Sequence, residues 1–301
     1  MTLTRLLGGK KVYLVDRLVI GYCLFMVALL LLVGRPLSEY SDEVVFYAAM
    51  AILAGAIIRY TDPRESFLQQ AARFLYPAVM FTFFYRMTGG QMFLLFDRFF
   101  DAQLVAFERS LLGGHPTLWI DAHLPNVFVT ELLSFCYFSY YPLLPAFLIP
   151  VFLRGDLKVL REYLAAASLT FFSSYCLFWL YPVEGPRWHF ASQYTHEITG
   201  LVFRPLVDLV IDNAAVHGGA MPSSHTGVAL VTLFFCFRYY RTWGWILLPI
   251  ITGLSVGTVW GRFHYASDVV VGALLGIISV WLVWNKMKEP EEVRTLVEEE
   301  R

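Results

Sequence analysis

Apolar runs of membrane-crossing length recur along this chain, and they limit its fold more than any other feature. Leu18–Gly34 carries no charge over 17 residues, just enough to cross a hydrocarbon core as a helix. Further runs follow at Val44–Ile58, Phe74–Phe96, Val127–Leu153 and Tyr163–Tyr181. Three more lie at Met221–Arg238, Trp243–Trp260 and Val269–Trp284. The third is interrupted by Arg86 and Gly89-Gly90, and the fourth contains Pro142, Pro145 and Pro150, which should kink it. The expected fold is an all-α, polytopic membrane helical bundle of about eight spans. Composition agrees: 57% of residues are hydrophobic, 16% are charged and the mean hydropathy is +0.57, too apolar for a soluble domain.

An even number of spans puts both termini on one side. With the N-terminus inside, 16 of the 23 Lys and Arg residues fall on inner segments, so both termini are expected in the cytoplasm. The organisation expected is N-terminal membrane helices over 1–125, a helical core with outer-face loops over 126–285, and a charged tail over 286–301. The first run starts only after Arg17 and lacks a small-residue cleavage site, so it reads as a retained span. Net charge is −1, which gives nucleic-acid binding no support. Cys23, Cys136, Cys176 and Cys236 lie in apolar runs without CxxC spacing and read as small buried hydrophobes.

Asp97–Leu124 is not a span. Phe100, Leu104, Phe107 and Leu111 recur at helical spacing among Asp97, Asp101 and Glu108, until Gly113-Gly114 stops the pattern. An amphipathic helix in the membrane interface and a plain surface helix both fit.

Two short stretches carry chemistry. In Met221-Pro222-Ser223-Ser224-His225-Thr226-Gly227 a polar loop gives way to an apolar run. Proline suits the first turn of a helix. The amides of Ser223, Ser224 and His225 would then lie at the positive end of a helix dipole, where an anion can sit. His225 adds a group that exchanges protons near neutral pH. The second stretch, Gly261–Asp268, places His264 and Asp268 four residues apart, on one helical face. A carboxylate there fixes the imidazole tautomer, leaving the other ring nitrogen as base or nucleophile. Both stretches fall on the expected outer face. One histidine can then attack phosphorus while the other protonates the leaving oxygen, with Arg187, Arg204 or Arg262 holding phosphoryl oxygens.

Pro222-Ser223-Ser224-His225, followed by His264-x-x-x-Asp268, resembles the second and third motifs of the type 2 phosphatidic-acid phosphatase superfamily. The resemblance covers roughly Tyr163–Trp284. It implies a helical membrane core that works without metal or other cofactor. It also implies His264 as the nucleophile of a phosphohistidine, Asp268 as its orienting group, His225 as the leaving-group acid, and Ser223 and Ser224 in phosphate binding. The third motif departs from the usual Ser-Arg, with Gly257-Thr258 in those positions, and Arg262 is the candidate to restore the charge. In the first motif Glu197 stands where lysine is usual before Arg204-Pro205. Val183-Glu184-Gly185-Pro186-Arg187-Trp188 is instead similar to that of the inositol phosphorylceramide synthase branch, so Arg187 is preferred as the phosphate clamp and Arg204 is read as a solvated loop charge.

Glu131, Tyr137, Tyr140 and Tyr141 fall in the outer half of the fourth span, as a head-group pocket or an aromatic belt. His189, His196 and His217 lack compact ligand spacing, so no metal site is expected. The reading is a lipid-phosphate phosphohydrolase of the outer leaflet. Phosphorylated lipid and membrane lipids are its expected partners, with no obligate protein partner, and the plasma membrane is its expected location. If a lipid alcohol replaces water, the same ping-pong chemistry makes a phosphotransferase. A lipid transporter or head-group-binding protein is the non-enzymatic alternative; it needs the arginines but not His225, His264 and Asp268 together.

Overall fold

The computed structural model describes residues 7–33, 39–124 and 126–286. Arg5 and all of the expected tail except Lys286 lie outside the described residues. Among those described, regular structure is helical apart from one isolated bridge between Val183 and Gly219. Helices α1 (Leu14–Leu32), α2 (Ser41–Tyr60) and α3 (Phe67–Gln91) open the chain. Two short helices, α4 (Asp101–Leu112) and α5 (Pro116–His123), follow at the end of the bundle reached by α3. The expected fourth span is two helices, α6 (Val127–Phe138) and α7 (Tyr140–Leu153), joined at Ser139. After α8 (Leu157–Leu180), a connection carries α9 (Pro186–His189) and α10 (Phe203–Ala214). Helices α11 (Ser224–Tyr239), α12 (Arg241–Trp260) and α13 (Ala266–Lys286) complete the bundle.

The protein is an integral membrane protein. Among the described residues six segments are long and apolar enough to cross: α1, α2, α6 with α7, α8, α12 and α13. Of the eight expected crossings, the other two are helices of different character. α11 has only 16 residues, and α3 carries Arg73 and Arg86 with several glutamines.

Arg73 shows why sequence runs and helices differ in extent. It lies just before the apolar run that starts at Phe74, yet α3 begins at Phe67. The Arg73 guanidinium donates to Asp16 Oδ1 at 2.9 Å and Oδ2 at 2.7 Å, and Tyr76 adds a third bond at 2.8 Å. Asp16 in turn caps α1 by accepting from the Tyr13 amide at 2.7 Å. A buried charge held bidentately is tolerated inside a helix pair; an unpaired one is not.

The core sits around α8, which packs on α1, α3, α11 and α13. In lipid the hydrophobic effect does not drive helices together, so close approach depends on small residues. Gly272 and Gly276 of α13 lie on the backbone of α11. A Cβ on Gly272 would strike the Ser223 carbonyl, and one on Gly276 the Gly227 carbonyl. Gly227 faces the Gly272 carbonyl from the other side, at 2.8 Å from its notional Cβ. This Gly-x-x-x-Gly contact seats the start of α13 against the start of α11.

Candidate active site

Ser223 begins the site as the N-cap of α11. Its hydroxyl accepts from the Thr226 amide at 3.4 Å, and its amide donates to the Asp268 carbonyl at 2.9 Å. Pro222, expected inside the first turn, lies one residue before the cap and follows a cis peptide. Ser223 thus joins the starts of α11 and α13 through its amide and caps α11 through its hydroxyl. The first-turn amides of Ser224 and His225 have no intrahelical acceptor and point past the helix end, where an anion is favoured.

His264 faces this helix start. Its Nδ1 lies 2.7 Å from the Ala220 carbonyl and 3.5 Å from Asp268 Oδ2. The shorter contact is to an acceptor only, so Nδ1 carries the proton and Nε2 keeps its lone pair. Asp268 has a second task. Its Oδ2 accepts from the Tyr265 amide at 2.7 Å, just before the first residue of α13. That is the reach-back half of a capping box. Asp268 is fully buried and His264 is 5% exposed. The expected pairing is present, with the Ala220 carbonyl making the closer contact to the imidazole.

The two histidine rings are 5.8 Å apart between centroids and inclined by 59°. His225 is packed by Tyr140 at 4.3 Å and Tyr137 at 5.2 Å, and the Tyr137 hydroxyl lies 3.4 Å from its Nε2. Its Nδ1 is buried with no protein partner. A buried polar atom in that state needs a ligand or solvent to satisfy it. Tyr137 and Tyr140 thus hold His225 directly, while Tyr141 packs behind Tyr137 at 6.3 Å.

A frame of carboxylates, which the sequence reading left at the interface, surrounds these residues. Asp101, 2% exposed, accepts from the Glu184 amide at 2.7 Å, the Gly185 amide at 2.9 Å and the Tyr265 hydroxyl at 2.8 Å. It ties the Val183–Trp188 stretch to the residue beside His264. Gly185 itself has φ +100 and sits against Ala220 and the Phe263 carbonyl, so glycine is required there. Glu108 accepts from the Ser267 amide at 3.1 Å. Burial pushes the Tyr265 phenol up, and the adjacent Asp101 carboxylate adds to the shift. Asp101→Asn replaces an acceptor by a donor facing an amide. The penalty of about 1–3 kcal/mol for unmet buried groups predicts a lower melting temperature for the variant than for wild type, measured by thermal unfolding in detergent.

The candidate arginines each have a carboxylate partner. Arg187 donates to Asp212 at 3.1 Å. Arg262 donates to Asp121 at 2.5 Å and the His196 carbonyl at 2.7 Å, stacked 3.6 Å over Tyr194. Its backbone is left-handed, with φ 66, a conformation costing a non-glycine residue about 1–2 kcal/mol. Burial would raise the Asp121 carboxyl, but hydrogen bonds from Thr195 and the Arg262 charge hold it below its ordinary value. Burial lowers the Arg262 guanidinium despite Asp121, and drives the Tyr194 phenol up to about 12. Both expected phosphate ligands are thus paired with carboxylates. Arg204, expected as a solvated loop charge, is 8% exposed, paired with Asp208 at 2.8 Å and 5.3 Å from the Phe263 ring.

Glu131 is also placed differently. Its carboxylate accepts from the amides of Leu201, Val202, Phe203 and Arg204 at 2.8–3.0 Å. It caps α10 and does not line the cavity with the tyrosines. That cavity, of about 560 Å³, is walled by Tyr137, Tyr140, Tyr141, Ser224 and His225 together with aromatic and aliphatic side chains of α3, α7, α8 and α10. Among the described residues no cluster of three or more His, Cys, Asp or Glu side chains is placed to hold a metal ion.

Bacitracin transport permease protein BcrC of Bacillus licheniformis is 32% identical over 84 residues, which is 28% of this chain and 38% of BcrC. The match therefore spans well under half of that curated relative. No solved structure matches. The family model described as PAP2 superfamily matches residues 102–282, from α4 through the two histidine stretches to α13, and the chain belongs to that superfamily.

Proposed function

We propose that the protein is a metal-independent phosphohydrolase of phosphorylated lipids, working through a phosphohistidine. One observation carries the reading: a histidine with its Nδ1 proton held at Ala220 lies 5.8 Å, ring to ring, from a second histidine at a helix N-terminus. His264 Nε2 attacks phosphorus, a P–N bond forms and the P–O bond to the lipid breaks. His225 gives its proton to the departing oxygen. In the second step His225 takes a proton from water, the water oxygen bonds to phosphorus, and the P–N bond breaks. The amides of Ser224 and His225 offset charge on the phosphoryl oxygens.

The site end is proposed to face away from the cytoplasm. Lys10, Lys11, Arg17, Arg59, Arg154, Lys158, Arg161, Arg238 and Arg241 gather at the opposite end, as cytoplasmic loops do. In a bacterial-type cell that face is the outer leaflet of the plasma membrane. The apolar cavity against His225 supports a second reading, in which a lipid alcohol replaces water and the protein is a phosphotransferase. A relative bearing the name of a transport permease keeps transport in view. A transporter, however, has no need of a tautomer-locked histidine at a helix N-terminus.

The test uses the full chain in mixed micelles with dioleoyl phosphatidate and, separately, farnesyl pyrophosphate, in chelator. Expected are phosphate release and acid-labile phosphate on the protein. Added dioleoylglycerol diverts that phosphate into lipid only if transfer operates. Absence of both release and labelling with every lipid phosphate would remove the enzyme reading.

A further inference from the structure

The cavity beside His225 is placed unevenly about the two histidines. His225 and Ser224 are in its wall; His264 and Asp268 are not. In an in-line displacement the nucleophile and the leaving group lie on opposite sides of phosphorus. With His264 as nucleophile, the cavity occupies the side to which the leaving alcohol departs.

Its lining grades from polar to apolar. The end nearest the site has His225, Tyr137 and Tyr140, with Arg86, whose guanidinium is 3.4 Å from the Asn213 carbonyl. The far end is formed by Leu75, Leu144, Leu148 and Ile149. A volume of about 560 Å³ falls within the range of roughly 300–1,000 Å³ typical of small-molecule sites. Such a lining offers nothing to a phosphate or a sugar at its far end, and it suits a hydrocarbon chain. Val79 of α3 and Ile149 of α7 both line the cavity and are largely exposed, which fits an opening between these two helices for a lipid to enter.

One wall is α3. Leu75, Ala78, Thr82 and Arg86 recur at three- and four-residue spacing and form a single helical face on the cavity. α3 ends at Gln91, before the matched family region begins at residue 102. We propose that the cavity binds the hydrocarbon chain of the lipid alcohol that leaves phosphorus, and that α3 sets which chains fit. This rests on the two-histidine reading for the direction of departure. α10 adds Val210, Ile211 and Ala214 to the lining, and Glu131 holds its N-terminus in place.

Ala78→Phe fills the middle of the cavity, and Leu75→Ala lengthens its far end. Turnover is compared for dihexanoyl and dioleoyl phosphatidate and for p-nitrophenyl phosphate, which has no chain. Ala78→Phe should lower the ratio of dioleoyl to p-nitrophenyl turnover about tenfold or more, and shift preference toward the dihexanoyl lipid. Leu75→Ala should shift preference toward the longer chain, and it serves alone if Ala78→Phe does not fold. Unchanged ratios in folded variants would overturn the proposal. A diazirine at the end of a dioleoylglycerol chain gives a readout free of turnover, with photolabel expected in the 67–91 segment. Label there without any turnover would leave the cavity and remove the two-histidine reading. Label confined to helices that do not line the cavity would overturn it as the chain site, and label on its other walls with none in the 67–91 segment would overturn α3 as the element that sets the chain.

Discussion

Replacing His264 by alanine should lower phosphate release about 10⁴-fold or more, equivalent to at least ~5 kcal/mol of barrier. The size of the loss follows from what Nε2 does. In the proposed mechanism it is the atom that bonds to phosphorus, with His225, packed against Tyr137 and Tyr140, on the leaving-group side. No other imidazole among the described site residues is held with Nδ1 on a backbone carbonyl at 2.7 Å. Labelled phosphate on the protein should vanish with turnover. His264→Gln is the companion variant, since it retains bulk and can still donate to the Ala220 carbonyl. It should be as inactive as the alanine variant but closer to wild type in thermal stability. Turnover within tenfold of wild type in either variant would sink His264 as the nucleophile and return the two-histidine geometry to a structural role.

The legible parts of this molecule are those whose meaning is local. Ser223-Ser224-His225 and His264-x-x-x-Asp268 each declare a helix start in a few residues, and both are helix starts. The reason for the second differs from the expected one. His264 precedes α13, so it meets Asp268 through a capping arrangement rather than across a helical face. Helix ends were underestimated because polar residues at the termini were assigned to loops. α8 begins at Leu157, six residues before its apolar run, with Glu162 bonded to Tyr239 at 2.7 Å. α10 was missed although Phe203, Leu206, Val207, Val210 and Ile211 show helical spacing; the motif reading of Arg204-Pro205 took precedence over its periodicity. Gly272-x-x-x-Gly276 was likewise present and unread.

What the sequence hides is pairing at long range. Arg262, read from the sequence as a candidate phosphate ligand, pairs with Asp121, 141 residues away. Asp101 meets Tyr265 across 164 residues. Periodicity makes these carboxylates look like the polar face of an interfacial helix. The structure turns them inward and leaves Phe107, Leu111 and Leu112 exposed. The inversion has a physical cause. In an apolar setting a carboxylate needs donors, and the richest supply is the set of free amides at loop bends and helix starts. Asp101, Glu108, Asp121 and Glu131 each occupy such a place, at the Val183–Trp188 stretch, the start of α13, the Thr195-His196 bend and the start of α10 respectively. For Arg262 or Arg187 to hold a phosphate, the ligand must displace or share a carboxylate partner. Phosphate binding at this site is therefore expected to rest first on the Ser224 and His225 amides.

His225→Asn should separate proton transfer from nucleophilic attack. With a lipid phosphate the leaving group is an alkoxide that departs only when protonated, and loss of a general acid costs about 10²–10⁴-fold. With p-nitrophenyl phosphate the leaving group is a stabilised phenolate, so the first step should suffer far less. The second step still needs a base to draw the proton from water, and that base is gone. The variant should release about one equivalent of p-nitrophenol in a burst, then stall with phosphate on His264. Wild type should show steady turnover, and His264→Ala no burst at all. Asparagine preserves a polar group beside the Tyr137 hydroxyl, which lies 3.4 Å from His225 Nε2, so the packing of α11 against α6 and α7 is disturbed little. Equal losses on both esters with no burst would mean that His225 positions phosphate through its place at the helix start and moves no proton. A burst on p-nitrophenyl phosphate alone would assign it to the leaving-group side, where the apolar cavity also lies.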